Sequence, residues 1–314
     1  MIKKNIWLLG SGQMSLEYFK VLRKLNCKFK IIGRGLNSSR KFKKKTNYDV
    51  DTNGLNYNIR KYGAPKVAII AVSADQLSNV TKSLIKAGTK RLLVEKPGSL
   101  NIYDLKKIKR LSNVKKSKTY IAYNRRFYDS VIQAEKIIYK DGGLKSISFD
   151  FTEWSSKIKK LNINSSIKKK WLISNSSHVI DLAFYFCGVP KIWSYWSSGN
   201  LEWHQKARFC GAGVSNKGVL FSYLSDWSSS GRWGIELMTL RHKLKLRPME
   251  KLEVMRLNSL NTKSYKQKNL DLKFKPGLFL QTKAFLNNED NKLCSIEDQV
   301  KNFDIYYKIA GYKK

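Results

Sequence analysis

Glu95-Lys96-Pro97 closes an apolar run, Arg91-Leu92-Leu93-Val94, and much further along the chain comes His178-Val179-Ile180-Asp181. An amine, an imidazole and carboxylates are the side chains of acid/base chemistry. Histidine exchanges a proton near neutral pH, and a lysine pKa moves readily on burial. A charged pair directly after a buried strand stands at the carboxyl edge of a sheet, where open α/β folds bind their ligands. Proline after Lys96 removes a backbone donor, restricts the lysine's backbone and permits a cis bond, which fixes the direction of the side chain. Asp181, three residues after His178, shares a helical face with it. Together the two motifs propose an acid/base pair attached to a dinucleotide fold. Taken alone, His178 has a plainer reading as a hydrogen-bonded structural histidine ahead of an apolar helix, and the same reading applies to His204 and His242.

The elements that must position these residues alternate as strand and helix through the first half of the chain. Ile6-Trp7-Leu8-Leu9 is a buried strand, followed at once by Gly10-Ser11-Gly12-Gln13-Met14-Ser15 and a helical stripe of Leu16, Phe19, Val21, Leu22 and Leu25. Gly10 permits a tight turn, and Gly12 lets the backbone approach a pyrophosphate that the free N–H groups of the helix start bind. Ser15 stands where a third glycine is usual; its small side chain still allows helix to pack on sheet. Phe29-Lys30-Ile31-Ile32 is the second strand, and Gly33-Arg34-Gly35 follows it at the adenosine-ribose position. Arg34, with Ser38, Ser39 and Arg40, suits a 2′-phosphate better than the acidic residue typical of NAD sites, so NADP is preferred over NAD. The alternative is a solvated arginine in a lysine-rich protein. Lys66 to Ser73 is a third continuous apolar strand whose end, Ala71-Val72-Ser73, lies beside the cofactor. A helix over 75–87, stopped by Gly88, leads to the strand before Lys96.

The second half changes character. A helix over 130–139 ends at Asp141-Gly142-Gly143, and 146–154 alternates as a strand does. Short strands follow at 191–196, 206–211, 218–224, 232–238 and 243–247, a sheet built mostly of hairpins.

Composition bounds the function. The 314 residues, 42% of them hydrophobic, can bury two medium domains. A net charge of +38, from 61 basic against 23 acidic residues, invites a nucleic-acid reading. The lysines are scattered, however, and the clusters at Lys43 to Lys45 and Lys168 to Lys170 carry no nucleic-acid motif. The charge instead favours an anionic small substrate by raising its local concentration. The opening residues, Met1 to Gly10, read as a strand rather than a signal peptide, and no segment has the apolar length of a membrane span, which predicts a soluble, cytoplasmic protein. Cys27, Cys187, Cys210 and Cys294 lack ligand spacing and read as free thiols, with no metal site.

The order of glycine turn, Ala71-Val72-Ser73, Glu95-Lys96-Pro97, Ala122-Tyr123-Asn124-Arg125-Arg126-Phe127 and Ser177-His178-Val179-Ile180-Asp181-Leu182 resembles the glucose–fructose oxidoreductase / inositol 2-dehydrogenase family (Gfo/Idh/MocA). The tail fits it too, with Gly277 to Leu280, Phe285-Leu286 and Ser295-Ile296-Glu297-Asp298. The resemblance implies an α/β protein: a Rossmann doubly wound parallel sheet over 1–120, then an α/β domain over 121–285 with an open, mainly antiparallel sheet. A closing helix over 286–314 packs back toward the first domain.

It further implies NAD(P)-dependent hydride transfer between nicotinamide and a secondary alcohol or ketone of a sugar, inositol or nucleotide sugar. It places Gly10, Ser11, Gly12, Gln13, Met14, Arg34, Ala71, Val72, Ser73, Glu95, Lys96 and Pro97 at the cofactor. Lys96 polarises the reacting oxygen or relays its proton, and His178 exchanges the proton. Asp181 fixes the imidazole or binds a sugar hydroxyl. Arg125 and Arg126 either bind a substrate carboxylate or phosphate or form salt bridges within the fold. Tyr123, Asn124, Glu153, Trp154 and Lys170 line the same cleft. Many relatives carry an aspartate four residues before the histidine, where this chain has Ser174; Asn175 is the candidate to bond a substrate hydroxyl instead. That departure keeps a second reading open, a cofactor-binding or regulatory protein with altered catalysis; a third, driven by charge alone, is an anion- or nucleic-acid-binding module. A homo-oligomer formed through the open sheet is the expected assembly.

Overall fold

The structure, a computed structural model, describes residues 5–265 and 269–312. The part of the opening strand reading that falls on Met1 to Lys4 lies outside the described residues. The chain divides into two compact units, the first made of 1–123 with 278–300 and the second of 124–277 with 301–314. The first unit runs on to Tyr123, where the expected boundary was 120, and the helix Leu278–Asn287 also falls in it. The division then falls inside the last helix, Ile296–Ala310.

The first unit is built on a sheet of six parallel strands: β1 (Ile6–Leu9), β2 (Phe29–Ile32), β3 (Val50–Asp51), β4 (Val67–Ile70), β5 (Arg91–Glu95) and β6 (Lys118–Ala122). Their spatial order is β3-β2-β1-β4-β5-β6, with Cys294–Ser295 added antiparallel at the β6 edge. Every residue of β1 and β4 is buried, the signature of central strands covered on both faces. Leu9 pairs with both Ile32 and Ile70, so the strands end level and the loops after β1, β2 and β4 gather at one edge. The sheet order reverses there, at β1 and β4, which is where doubly wound sheets open a crevice. The helix expected over 75–87 spans Leu77–Lys86. It stops as Gly88 turns to φ +104°, with Gly88 N–H bonded to the Ile85 carbonyl and Thr89 N–H to the Leu84 carbonyl.

The second unit carries eight strands: β7 (Ser146–Asp150), β8 (Pro190–Ser198), β9 (Arg208–Ser215), β10 (Leu220–Asp226), β11 (Gly234–Met238), β12 (His242–Leu246), β13 (Glu253–Arg256) and β14 (Thr262–Ser264). Their order is β14-β13-β12-β11-β7-β10-β9-β8, antiparallel throughout except for the β7–β10 pair. Helix Ser177–Cys187 packs on one face, with Phe184 edge-on to Phe149 at 5.6 Å and to Phe221 at 5.4 Å. The alternate residues point the other way, and Ile192, Trp196, Leu220 and Leu224 are exposed there. All four cysteines are free, and no helix among the described residues is long and apolar enough to cross a membrane.

Candidate functional site

The first unit holds a cleft of about 400 Å³ at the edge where β1, β2 and β4 end. Gly10, Ser11 and Gly12 form one wall, Arg34 and Ser38 another, and Ala71, Val72 and Ser73 a third. Gly10 sits at φ +115°, and a Cβ there would come within 2.4 Å of the Ala71 carbonyl oxygen, so only glycine fits. Gly12 caps the helix Gln13–Lys24 without any side-chain hydrogen bond, and a Cβ on it would meet open space. Gly12 thus brings no side-chain cap to that turn, no acidic residue stands in it, and the helix start at Gly12 lines the cleft. Ser15, in the position of the third glycine, is fully buried and donates to the Ala71 carbonyl at 3.3 Å, so its hydroxyl ties the helix to the end of β4.

Helix Leu36–Thr46 also begins at the cleft, again without a side-chain cap at Gly35 and without an acid in its first turn. Arg34 is exposed, and Ser38 is hydrogen-bonded to the Ser11 hydroxyl at 2.8 Å. Gly54, Leu55 and Gln76 also line the cleft, and no motif marks them. The turn signal Asp51-Thr52-Asn53-Gly54 was the available clue. Gln13 and Met14 open the helix without lining the cleft, and Gln13 donates to Glu17 at 3.1 Å.

The Lys96 turn is held from three sides. Gly98 N–H closes it on the Glu95 carbonyl at 3.0 Å, and the Lys96–Pro97 bond is cis. Glu95 accepts from the buried Tyr18 hydroxyl at 2.8 Å, and burial together with that carboxylate raises the Tyr18 phenol well above its usual range. Buried Gln299 donates to the Pro97 carbonyl at 2.8 Å and to the Tyr123 hydroxyl at 3.1 Å. Tyr123, expected to touch substrate, is 1% exposed and accepts the second of these bonds from Gln299. Lys96 itself is half-buried.

In the second unit, His178 is buried at the start of helix Ser177–Cys187, its ring 6.3 Å from that of Trp233. A single π-helical turn, Leu172–Ser176, precedes it. Asp181, three residues after His178, is paired within the fold. Both its oxygens receive the Arg126 guanidinium, Nε at 2.9 Å and Nη2 at 2.6 Å, and both residues are buried. Arg126 thus takes the salt-bridge role within the fold, and Arg125 stands beside it in the chain. That residue is half-buried, its guanidinium 4.7 Å from the Trp233 ring and its Nε buried without a hydrogen-bond partner.

Asn175 is also committed within the fold, its amide donating to Glu153 at 3.0 Å. The Ser174 hydroxyl turns back onto the Ile167 and Trp171 carbonyls at 3.3 and 3.4 Å. Asn124 donates to the Pro276 carbonyl at 2.8 Å. Burial lowers the Lys170 amine, which lies 3.8 Å from the Tyr312 ring. Trp154 is half-exposed beside a cavity of about 780 Å³, with the Arg232 guanidinium 4.7 Å and the Lys157 amine 4.1 Å from its ring. Among the described residues no group of histidines, cysteines and acids is arranged to hold a metal ion.

The sequence matches no family model and no curated protein. Solved structures match it along nearly the whole chain. A structure from Desulfitobacterium hafniense assigned as an NADPH-dependent oxidoreductase aligns with a TM-score of 0.80 at 14% identity, over 98% of this chain and 95% of that one. An oxidoreductase from Agrobacterium radiobacter, solved with NAD+, L-tartaric acid and magnesium, gives 0.78 at 12% identity, over 99% and 97%. UDP-N-acetylglucosamine 3-dehydrogenase from Acidithiobacillus ferrooxidans gives 0.76 at 10% identity, over 98% and 96%. The chain has the two-domain fold of these oxidoreductases.

Proposed function

We propose that the protein is an NAD(P)-dependent oxidoreductase that moves hydride between a nicotinamide and a secondary alcohol or ketone of a sugar, inositol or nucleotide sugar. The cleft at the ends of β1, β2 and β4 carries this reading, because a helix start with glycine at its cap and no acid in its first turn, beside the forced glycine at Gly10, suits a pyrophosphate. Bound there, a nicotinamide dinucleotide supplies the hydride acceptor or donor. Lys96 polarises the substrate oxygen from the turn after β5. As hydride leaves carbon, the hydroxyl proton passes to His178; in the reverse direction His178 returns it. Arg125 is the candidate for an anionic group of the substrate. The exposed Ile192, Trp196, Leu220 and Leu224 support association of two copies through the open sheet, and four free thiols fit the reducing cytoplasm.

Arg34 and Ser38, at the uncapped start of helix Leu36–Thr46, favour NADP. Titration of both reduced cofactors by fluorescence tests this. NADPH is expected to bind more tightly, and Arg34→Ala to weaken it about tenfold while leaving NADH nearly unchanged. Equal affinities that survive Arg34→Ala would sink the NADP assignment. Turnover is tested by oxidation of the reduced cofactor with a panel of ketosugars, where Lys96→Ala and His178→Ala should each lose about a hundredfold or more. A hydroxyl at Ser174, bonded to the Ile167 and Trp171 carbonyls where many relatives carry a carboxylate, favours a second reading in which the protein binds cofactor and regulates without turnover. Single-turnover oxidation of bound cofactor by any of those ketones would eliminate it.

A further inference from the structure

Glu153 follows β7 and is 2% exposed, a buried acid in a chain where 61 basic residues face 23 acidic ones. Its Oε1 accepts from the Ser176 hydroxyl at 2.7 Å and the Asn175 amide at 3.0 Å, and its Oε2 accepts from Arg232 Nη1 at 3.1 Å. Burial pushes the carboxyl up, and the Ser176 hydrogen bond, the Arg232 charge and the Asn175 amide oppose that push. An isolated buried carboxylate is strongly unfavourable, so three donors converging on one acid mark a place built around its charge. Both routes outward from Glu153 lead to His178. Asn175 and Ser176 end the π-helical turn, and Ser176 is the cap position of the helix on which His178 stands. Arg232 lies 4.3 Å from the Trp233 ring, the ring that neighbours the imidazole.

We propose that Glu153 is the positioning residue for His178, fixing the start of its helix and the tryptophan beside its ring. It supplies from the end of β7 the negative charge that this chain lacks at Ser174. The proposal rests on the reading of His178 as the proton-exchanging group. Other charges on the elements beside the imidazole include the Asp181–Arg126 pair on and against its own helix, and Arg125 and Arg232 on the Trp233 ring. Glu153 offsets the second of those guanidinium groups directly.

The test uses the full chain labelled with 13C-histidine, following the ring C–H signals against pH, with the His178 signal identified by its loss in His178→Gln. In Glu153→Gln the His178 midpoint should fall by about half a pH unit or more, as a nearby negative charge is removed. Glu153→Asp should restore most of it, and His204 and His242 should stay where they were. Arg232→Gln, at a half-exposed side chain, should move the midpoint the opposite way. An unmoved His178 signal in folded Glu153→Gln overturns the proposal. Should that variant not fold, an unmoved signal in Arg232→Gln overturns it equally. Cofactor and substrate are absent from the measurement, so its failure is separate from any failure of the oxidoreductase reading, which the titration and turnover assays decide.

Discussion

His204 is the counterpart of His178, the same side chain committed to packing. Its Nδ1 meets the Lys206 carbonyl at 2.7 Å and its Nε2 the Tyr312 hydroxyl at 2.6 Å, with 2% of the residue exposed. Burial holds the imidazole down at about 4, so the folded protein keeps it neutral. Because that value lies below the unfolded one, near 6.5, the unfolded chain takes up a proton first as pH falls. Stability from this residue is therefore full above about pH 6.5 and is lost on the way down to about pH 4, on the order of 3 kcal/mol in all. Urea melts across that range should show the slope, and His204→Gln should flatten it; an equal slope in the variant would contradict the assignment. Sequence spacing could not separate the two histidines, since burial depends on residues from distant elements. The same limit hid the Arg126–Asp181 pair, whose members stand 55 residues apart. Gly10 was legible for the opposite reason, because a forced positive φ after a strand demands glycine whatever surrounds it.

At the scale of elements, the strands that frame the cleft could be read because β1 and β4 are unbroken apolar runs. Helices Leu36–Thr46 and Ile102–Val114 with β6 escaped, and so did several short or polar elements: β3, helix Leu55–Tyr62, β13, β14 and the two-residue strand Cys294–Ser295. That last strand leads to a seam. Asp290, just before it, accepts from Arg91 on β5 and from the Tyr120 hydroxyl on β6, the latter at 2.6 Å. Burial pushes the Asp290 carboxyl up, but the Arg91 and Tyr120 hydrogen bonds and the Arg91 charge prevail and hold it at about 2. A folded value below the unfolded one, near 3.9, means the seam's contribution is complete above about pH 4 and vanishes as pH falls through about 2. Asp290→Asn should lower stability at neutral pH by on the order of 2 kcal/mol and erase that acid dependence in denaturant melts. A variant as stable as the parent at pH 7 would show that the seam carries no such weight.

At the scale of the molecule, the open sheet face sets Ile192, Val214 and Leu220 in one registered row and Trp196, Cys210 and Leu224 in another. Four of these six are large apolar side chains more than half exposed, the pattern of a surface meant to be covered. Light scattering should find an oligomer that strengthens with added salt, as screening relieves repulsion between chains of net charge +38. Leu224→Asp should return the monomer mass, whereas a parent protein that is monomeric at high salt would remove the case for association. The fastening of the Lys96 turn has a further consequence, for the order in which the protein is made. Pro97 is held by Gln299, 202 residues later, and Arg91 by Asp290, 199 residues later. A ribosome must therefore deliver both of those later residues before the first unit can be completed, so the first sheet to emerge is the last to be locked.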